Sequence, residues 1–420
     1  MGRLPFLIAG CALIIAFDYY CLTALLAVFK TWSEKAKRRF SIIYWTISLL
    51  LIAGIFAGIF VNIFLSLRAV ILVAFFLLTG CKMVMLPFLL VDDLRRLLIR
   101  IFRKPIAAKV VTDEDGKAHT TGEPISRSAF IVKAGLVAAA VPLTSLTWGI
   151  TSGAYDYQVR RQTLVLPNLP AAFDGITMGQ ISDIHSGSFY NPRAVKGGVE
   201  MLLAQKPDFI FFTGDIVNDM ATEMRDYQDI FSKVNAPLGV FSSLGNHDYG
   251  DYHFGKEASP AKAKNLKDVI KTHELMGWDL LLNEHRRLKV NGEEIGILGI
   301  ENWGMGRFPK YGRMDLATKN TDDLPVKLLL SHDPSHWRAE VLPKYPQIDA
   351  MFSGHTHGMQ FGVRTKDFEW SPIQYIYKEW AGLYQEQHQQ LYVNVGYGFL
   401  GYPGRVGILP EITIFTLKRA

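Results

Sequence analysis

Five short polar clusters carry the residues best suited to chemistry: Asp183-Ile184-His185, Gly214-Asp215-Ile216-Val217-Asn218-Asp219, Gly245-Asn246-His247-Asp248, Ser331-His332-Asp333 and Gly354-His355-Thr356-His357. Their donors are carboxylates, imidazoles and a side-chain amide, with no sulfur. Such sets suit Mn²⁺, Fe and Zn²⁺, and the excess of imidazole argues against Mg²⁺ or Ca²⁺ alone. Seven candidate ligands, Asp183, His185, Asp215, Asn246, His332, His355 and His357, are too many for one ion and about right for two that share a bridge. Two ions roughly 3.5–4 Å apart clamp a phosphoryl group for in-line displacement. The D-x-H and H-x-H spacings predict paired side chains on one side of an extended segment, because strand side chains alternate with a period of two. A glycine before Asp215, Asn246 and His355 is expected to let the chain turn sharply off each strand.

The elements that must position these clusters are apolar runs of strand length at 176–181, 209–213, 240–243, 326–330 and 350–352, each leading into one cluster. Further runs lie at 295–300 and 391–395, and helical patterns intervene at 195–205 and 265–276. Strands alternating with helices predict an α/β domain with buried sheets. Ligands in such folds bind beyond the carboxyl ends of the strands. Clusters up to 174 residues apart are therefore expected to converge on one crevice.

The ordered set D-x-H, G-D-x-x-x-D, G-N-H-D, H and G-H-T-H resembles the calcineurin-like metallophosphoesterases over residues 170–418. LGNHDYG, LLSHDP, FSGHTHG and Arg405 ahead of PEITIFTL are most similar to its bacterial membrane-associated YkuE/YaeI-like branch. The resemblance implies a four-layer α/β/β/α sandwich and hydrolysis of a phosphoester with two divalent metal ions (Mn²⁺, Zn²⁺ or Fe). It also implies that Asp183, His185 and His357 hold one ion, that Asp215 bridges, and that Asn246, His332 and His355 complete the second. His247 would face the substrate phosphate and protonate the leaving oxygen, with Asp248 orienting it. The nucleophile would be a hydroxide shared by the metals. Arg405 reads either as a contact to the substrate phosphate or as a charge paired near the closing strand. The chain departs from the branch at Met359, which precedes Gln360 where Gly-Gln is usual; Met359 is expected to pack or to narrow the pocket mouth. Of the other histidines, His253 and His336 are expected nearest the site. Trp370, Tyr375, Tyr377, Trp380 and Tyr384 read either as core or as a membrane-interface lip. No motif accounts for the loop 306–323.

The N-terminal third has a different character. Apolar stretches at 4–29, 41–65, 69–90 and 129–150 each reach the roughly 20 residues that span a bilayer core. The loops between them are basic on one side only: Lys30, Lys35, Lys37, Arg38 and Arg39, then Arg95, Arg96, Arg100, Arg103, Lys104 and Lys109, against Arg3 and Arg68 on the other. By the positive-inside rule the basic loops face the cytoplasm. That predicts a multi-pass protein of the cell (inner) membrane with an extracytoplasmic catalytic domain. The expected organisation is three transmembrane helices in 1–91, a basic juxtamembrane segment in 92–128, a fourth helix in 129–150 and the phosphoesterase domain in 151–420. Residues 92–104 read either as an amphipathic helix at the lipid surface or as a solvated juxtamembrane helix.

Asp18 and Lys82 lie 14 and 13 residues into spans that run in the same direction, so at roughly 1.5 Å per residue they share a depth. Charges at such depth are costly unless paired, which predicts a buried ion pair. Residues 1–150 hold 17 of the 45 Lys+Arg and 8 of the 39 Asp+Glu, leaving 28 against 31 in the rest. No positive excess remains there for a nucleic-acid partner. The three cysteines, Cys11, Cys21 and Cys81, all fall in apolar runs, which excludes a disulfide framework and a thiolate metal site in the C-terminal two-thirds. The partners implied are a lipid bilayer and a phosphodiester, pyrophosphate or phosphomonoester, lipid- or envelope-linked. The rival reading is a membrane receptor or sensor that binds a phosphorylated ligand without turnover; His247 argues against it, since binding alone needs no acid.

Overall fold

Sustained apolar character makes the N-terminal part helical. In the computed structural model, which describes residues 4–60, 65–102, 127–306, 308 and 310–420, helices α1 (Leu4–Val28), α2 (Glu34–Phe60), α3 (Leu65–Phe102) and α4 (Arg127–Thr151) come first. All four are long and apolar enough to cross a membrane. The chain divides into two compact units, Met1–Thr147 and Trp148–Ala420.

α3 does not stop at the end of its apolar run. It continues without a break through residues 92–102, so the amphipathic stretch is the end of the third helix and not a separate one. Asp92 holds this turn together by accepting from Arg95 at 2.9 Å and Arg96 at 2.8 Å. Arg103, Lys104 and Lys109 of the same basic loop lie outside the described residues. Within the unit, glycines let helices approach closely: a Cβ at Gly54 would fall 2.9 Å from Ile71, and one at Gly135 would fall 2.9 Å from Phe88. Small residues at such contacts are how helices pack where lipid supplies no hydrophobic drive.

Asp18 and Lys82 do meet. Lys82 Nζ lies 2.5 Å from Asp18 Oδ1. The Ser48 hydroxyl donates to the other carboxylate oxygen, and Tyr44 OH donates to the Asp18 backbone carbonyl at 3.1 Å. The ammonium also sits 4.9 Å from the centre of the Tyr44 ring. One ion pair thus ties α1, α2 and α3 together. Breaking a buried pair on one side costs about 3–5 kcal/mol because the other charge is left alone. Asp18→Asn and Lys82→Met should each lower stability in detergent, and the double variant should recover most of the loss. Strictly additive losses in a thermal double-mutant cycle would contradict the pairing.

The second unit is built on β1 (Gln158–Leu166), β2 (Thr177–Ile181), β3 (Phe209–Thr213), β4 (Val240–Ser243), β5 (Asp279–Leu280), β6 (Glu284–Val290), β7 (Glu293–Gly299), β8 (Lys327–Leu330), β9 (Ala350–Ser353), β10 (Val363–Arg364), β11 (Glu369–Trp370), β12 (Gly382–Glu386), β13 (Gln389–Val393) and β14 (Glu411–Arg419). One sheet has the order β1-β14-β2-β3-β4-β5, the other β12-β13-β9-β8-β7-β6, and β10-β11 form a small hairpin. The strands whose ends carry the polar clusters are parallel neighbours: β2, β3 and β4 in the first sheet, β8 and β9 in the second. Continuous apolar runs mark these central strands, which are buried on both faces. β1 and β6 escape that criterion because edge strands such as EHRRLKV alternate with charge.

Alternation sorts the core into layers. Phe209 and Phe211 of β3 join Phe352 and Phe415 in the apolar layer that both sheets share. Ile210 and Phe212 point the other way, into a layer with Val195, Val199 and Leu202 of α5 (Pro192–Ala204) and Val269 of the helix Pro260–Leu275. A third layer, around Leu329, Met351 and Trp337, covers the outer face of the second sheet. The result is the four-layer α/β/β/α sandwich.

Candidate metal centre

Each cluster sits at the carboxyl end of its strand, and the two sheets deliver them to one place. Two groups of donors form there: Asp183, His185 and His357 in one, Asp215, His332 and His355 in the other, the ligand atoms of each lying within 4.8 Å of one another. Asp215 Oδ2 lies 3.0 Å from His332 Nε2 and 3.6 Å from His185 Nε2, so it stands between the groups. Asp183 Oδ1 is 3.2 Å from His357 Nε2. Asn246 Oδ1 is 2.8 Å from His355 Nδ1. All seven candidate ligands are therefore brought together.

The pairs do not converge by strand pleating. Asp183, His185, Asp215, His355 and His357 have φ of 51°, 47°, 59°, 72° and 50°, a left-handed conformation that costs energy in any residue with a side chain. The chain leaves the strand before the motif begins, and left-handed turns aim the donors inward. The glycines serve close approach more than turning. Gly214 has φ 97°, but a Cβ on Gly354 would fall 2.1 Å from Asp183 Oδ2, and one on Gly245 would fall 2.2 Å from Asp215 Oδ1.

The donors crowd together more closely than their own hydrogen bonding requires, as metal ligands do. His332 Nε2 is fully buried without a hydrogen-bond partner among the described residues, despite the carboxylate close to it. Ring nitrogens His185 Nε2 and His357 Nε2 face each other at 3.1 Å. His332 Nδ1 is committed to the Thr213 carbonyl at 2.7 Å, which turns Nε2 inward. His355 Nε2 meets Tyr377 OH at 2.8 Å, and that hydroxyl donates on to Asp333 at 3.4 Å, leaving Nδ1 for the centre. Fixing one imidazole nitrogen so that the other can ligate is the usual outer-shell device. The donor set fits two divalent ions.

Charge is tightly coupled in this cluster. Burial opposes ionisation of Asp183 and Asp215, but the surrounding imidazoles outweigh it and hold both carboxyls well below the usual range. Burial likewise opposes charge on His332, yet Asp215 and Asp183 raise it to about 10. Burial keeps His185 neutral, well below its ordinary value.

Two residues have parts different from those expected. Asp248 does not touch the His247 ring. Its carboxylate is buried and accepts from Asp215 N at 2.9 Å, Gly245 N at 2.8 Å, Ile216 N at 2.9 Å and Val217 N at 3.4 Å, so it latches the loops after β3 and β4 together. Burial and the neighbouring Asp215 push it up to about 7. Arg405 has no exposed surface with which to meet a substrate. Its guanidinium donates to the carbonyls of Val395 at 2.7 Å, Gly398 at 2.6 Å and Ile408 at 3.2 Å, and lies 3.3 Å from His357 Nδ1. It positions a candidate ligand from behind.

His247 remains partly open. Its Nδ1 is 2.6 Å from the Asn218 carbonyl, and its ring stacks on Tyr252 at 4.5 Å and stands edge-on to His185 at 4.9 Å. That leaves Nε2 for a proton transfer. Sequence patterns did not reveal Tyr252 or Phe308, whose ring meets His355 at 4.8 Å, and marked Tyr377 only as one of an aromatic stretch. Tyr252 lies on the short helix Asp251–Phe254 and the other two on loops, none with ligand spacing of its own; Phe308 comes from the loop no motif explained. His336 is buried against Ser331 and Glu340 and does not line the site. Trp380 is buried, while Met359 and Tyr375 are exposed.

Comparison with known proteins agrees with the geometry. Residues 176–359 match the family described as Calcineurin-like phosphoesterase, and residues 3–154 match the one described as Probable Calcineurin-like phosphoesterase, transmembrane domain. The chain is 31% identical over 254 residues to the uncharacterized metallophosphoesterase YkuE of Bacillus subtilis, covering 60% of this chain and 82% of that one. It is 26% identical over 242 residues to phosphodiesterase YaeI of Escherichia coli, covering 56% and 80%. Over 304 residues it is 27% identical to UDP-2,3-diacylglucosamine pyrophosphatase LpxG of Chlamydia trachomatis, covering 60% and 88%. The chain belongs to the calcineurin-like metallophosphoesterases, as a membrane protein of that family, and is a metal-dependent phosphoesterase.

Loading the metal-free centre should release protons, because His332, raised to about 10, must give up its proton to ligate. Metal affinity should therefore fall as pH falls, by roughly tenfold per unit for one displaced proton. Calorimetric titration of Mn²⁺ or Zn²⁺ in buffers of different ionisation enthalpy measures this; a buffer-independent heat would contradict it.

Proposed function

We propose that this protein hydrolyses a phosphodiester or pyrophosphate, with phosphomonoesters as a lesser class, carried on a lipid or envelope molecule at the extracytoplasmic face of the membrane. The observation that supports it most is a donor centre of six His and Asp residues, joined by Asn246, beside a half-buried histidine whose Nδ1 is committed to the Asn218 carbonyl. Two divalent ions held by Asp183, His185 and His357 and by Asn246, His332 and His355, with Asp215 between, would lower the pKa of water and neutralise charge on the phosphoryl group. The protein's own residues do the rest. His247, with Nδ1–H anchored on Asn218 O, presents Nε2 to the leaving oxygen and can donate its proton there. Tyr252 stacks beneath that ring and fixes its plane. Asp248 and Arg405 hold the loops that carry Asp215 and His357.

The lipid-linked class is supported by continuity. Residues 148–155 belong both to an apolar stretch long enough to span the bilayer and to the catalytic unit. LpxG, one of the relatives, is named for a pyrophosphate on a diacylated sugar nucleotide. The sidedness rests on the basic loops after the first and third helices.

His247→Gln should keep both metals and lose kcat by roughly 10²–10⁴, the usual yield of general acid catalysis. The loss should shrink for substrates with good leaving groups such as nitrophenol. Equal losses for good and poor leaving groups would refute the acid role. For topology, Lys267→Cys on the Cys-free catalytic unit should react with an impermeant maleimide added outside intact cells, and Lys35→Cys should not. The opposite pattern would place the centre in the cytoplasm.

A further inference from the structure

The segment that follows the GHTH cluster carries large apolar side chains that face water. Tyr375 and Ile376 are 77% and 70% exposed, and Met359, Phe361, Val363 and Phe368 are each exposed as well. Chain continuity and pairing link several of them. Phe361 and Val363 flank Gly362, where the chain bends into the β10-β11 hairpin. Val363 pairs with Trp370 across the β10-β11 hairpin, and Trp370 Nε1 lies 3.5 Å from Tyr375 OH. The segment is also bound to the centre: Met359 follows His357-Gly358, and Ile376 precedes Tyr377, whose hydroxyl touches His355.

Its other edge reaches the end of the fourth apolar stretch. Gly362 N donates to Val406 O at 2.9 Å and Val406 N to Gln360 O at 2.8 Å, so the rim is stitched to the loop 402–406. That loop lies on residues 149–153: Arg405 N donates to Gly149 O at 3.1 Å, and a Cβ on Gly153 would fall 2.0 Å from Arg405 O. Gly149 and Gly153 both belong to the candidate span 130–155. The rim is thus one loop away from the point where the chain meets the bilayer.

Exposed apolar surface of this kind marks an interaction site, and tyrosine and tryptophan favour the boundary between lipid and water. We propose that the rim of Met359, Phe361, Val363, Phe368, Tyr375 and Ile376 docks into the bilayer surface and presents the metal cleft to lipid headgroups. This rests on the phosphoesterase reading above and adds where the substrate is met. Because the rim and the span end belong to one unit, docking is intramolecular and is favoured by high effective concentration. The hairpin tip carries Lys366 beside Asp367 and no net charge, so the attachment is apolar and should resist salt and tolerate neutral lipid.

The test uses the full chain, with Cys11, Cys21 and Cys81 replaced by alanine, in phosphatidylcholine nanodiscs. Nitroxide labels at Phe361→Cys and Ile376→Cys should be relaxed more by oxygen than by a water-soluble nickel chelate, in low and high salt alike. A label at Lys267→Cys, on the helix Pro260–Leu275, should show the reverse. Nickel accessibility at 361 and 376 equal to that at 267 would overturn the proposal. So would strong spin–spin broadening between copies at 376, which would mean that a second chain covers the rim. In parallel, Ile376→Glu should lower the ratio of hydrolysis of a nanodisc-borne lipid phosphodiester to that of soluble bis(p-nitrophenyl) phosphate by at least tenfold. A nickel-shielded rim with an unchanged ratio would support docking and refute the lipid substrate. A chain inactive on both substrates would refute the phosphoesterase reading, and the depth measurement would still decide the docking.

Discussion

Two carboxylates, Asp183 and Asp215, are buried within a few ångströms of each other and of four imidazoles. Unpaired, either would be prohibitively costly in a dry interior. Much of the catalytic unit answers that constraint. Backbone amides approach the carboxylates, His355 N donating to Asp183 and His247 N to Asp215. Glycines at 245 and 354 remove the side chains that would collide with them. Five of the seven donors accept a left-handed backbone, strain that is tolerable only because the loops around them are fixed from several directions.

The fixing comes from residues that never meet substrate. Asp248 binds the amides of two loops with one carboxylate, and Arg405 gathers carbonyls around His357. Both buried groups make several hydrogen bonds to backbone, which fixes the loops that carry the donors. Between them the seam of the two sheets becomes a rigid cradle, and His247 is left as the partly open group beside it. Ligands held rigidly are what a pair of metal ions at a fixed spacing requires.

The membrane unit solves the same problem on a smaller scale. The Asp18–Lys82 pair, with Ser48 and Tyr44 around it, binds three helices where lipid offers no competing partner. Intramembrane charges are tolerated when they satisfy one another. The fourth apolar stretch passes into the catalytic unit itself, so membrane attachment and active-site scaffolding share the loop 402–406.

Several features were legible in the chain alone. Ligand types, their order and the apolar runs before them identify the centre, because a parallel strand buried on both faces must read as a short apolar block and its end must open into a loop. The shared depth of Asp18 and Lys82 follows from helix rise. Other features were decided by tertiary structure. The D-x-H and H-x-H pairs converge through left-handed turns and not by pleating, α3 runs on through the arginine-rich stretch, and Arg405 and Asp248 serve the scaffold instead of the substrate. Tyr377 reaches His355 from a loop that carries no ligand spacing. Spacing along a chain encodes only what neighbours in sequence can do. Which buried donor meets which carbonyl depends on how loops from two sheets pack across their seam, and that is set by the whole fold.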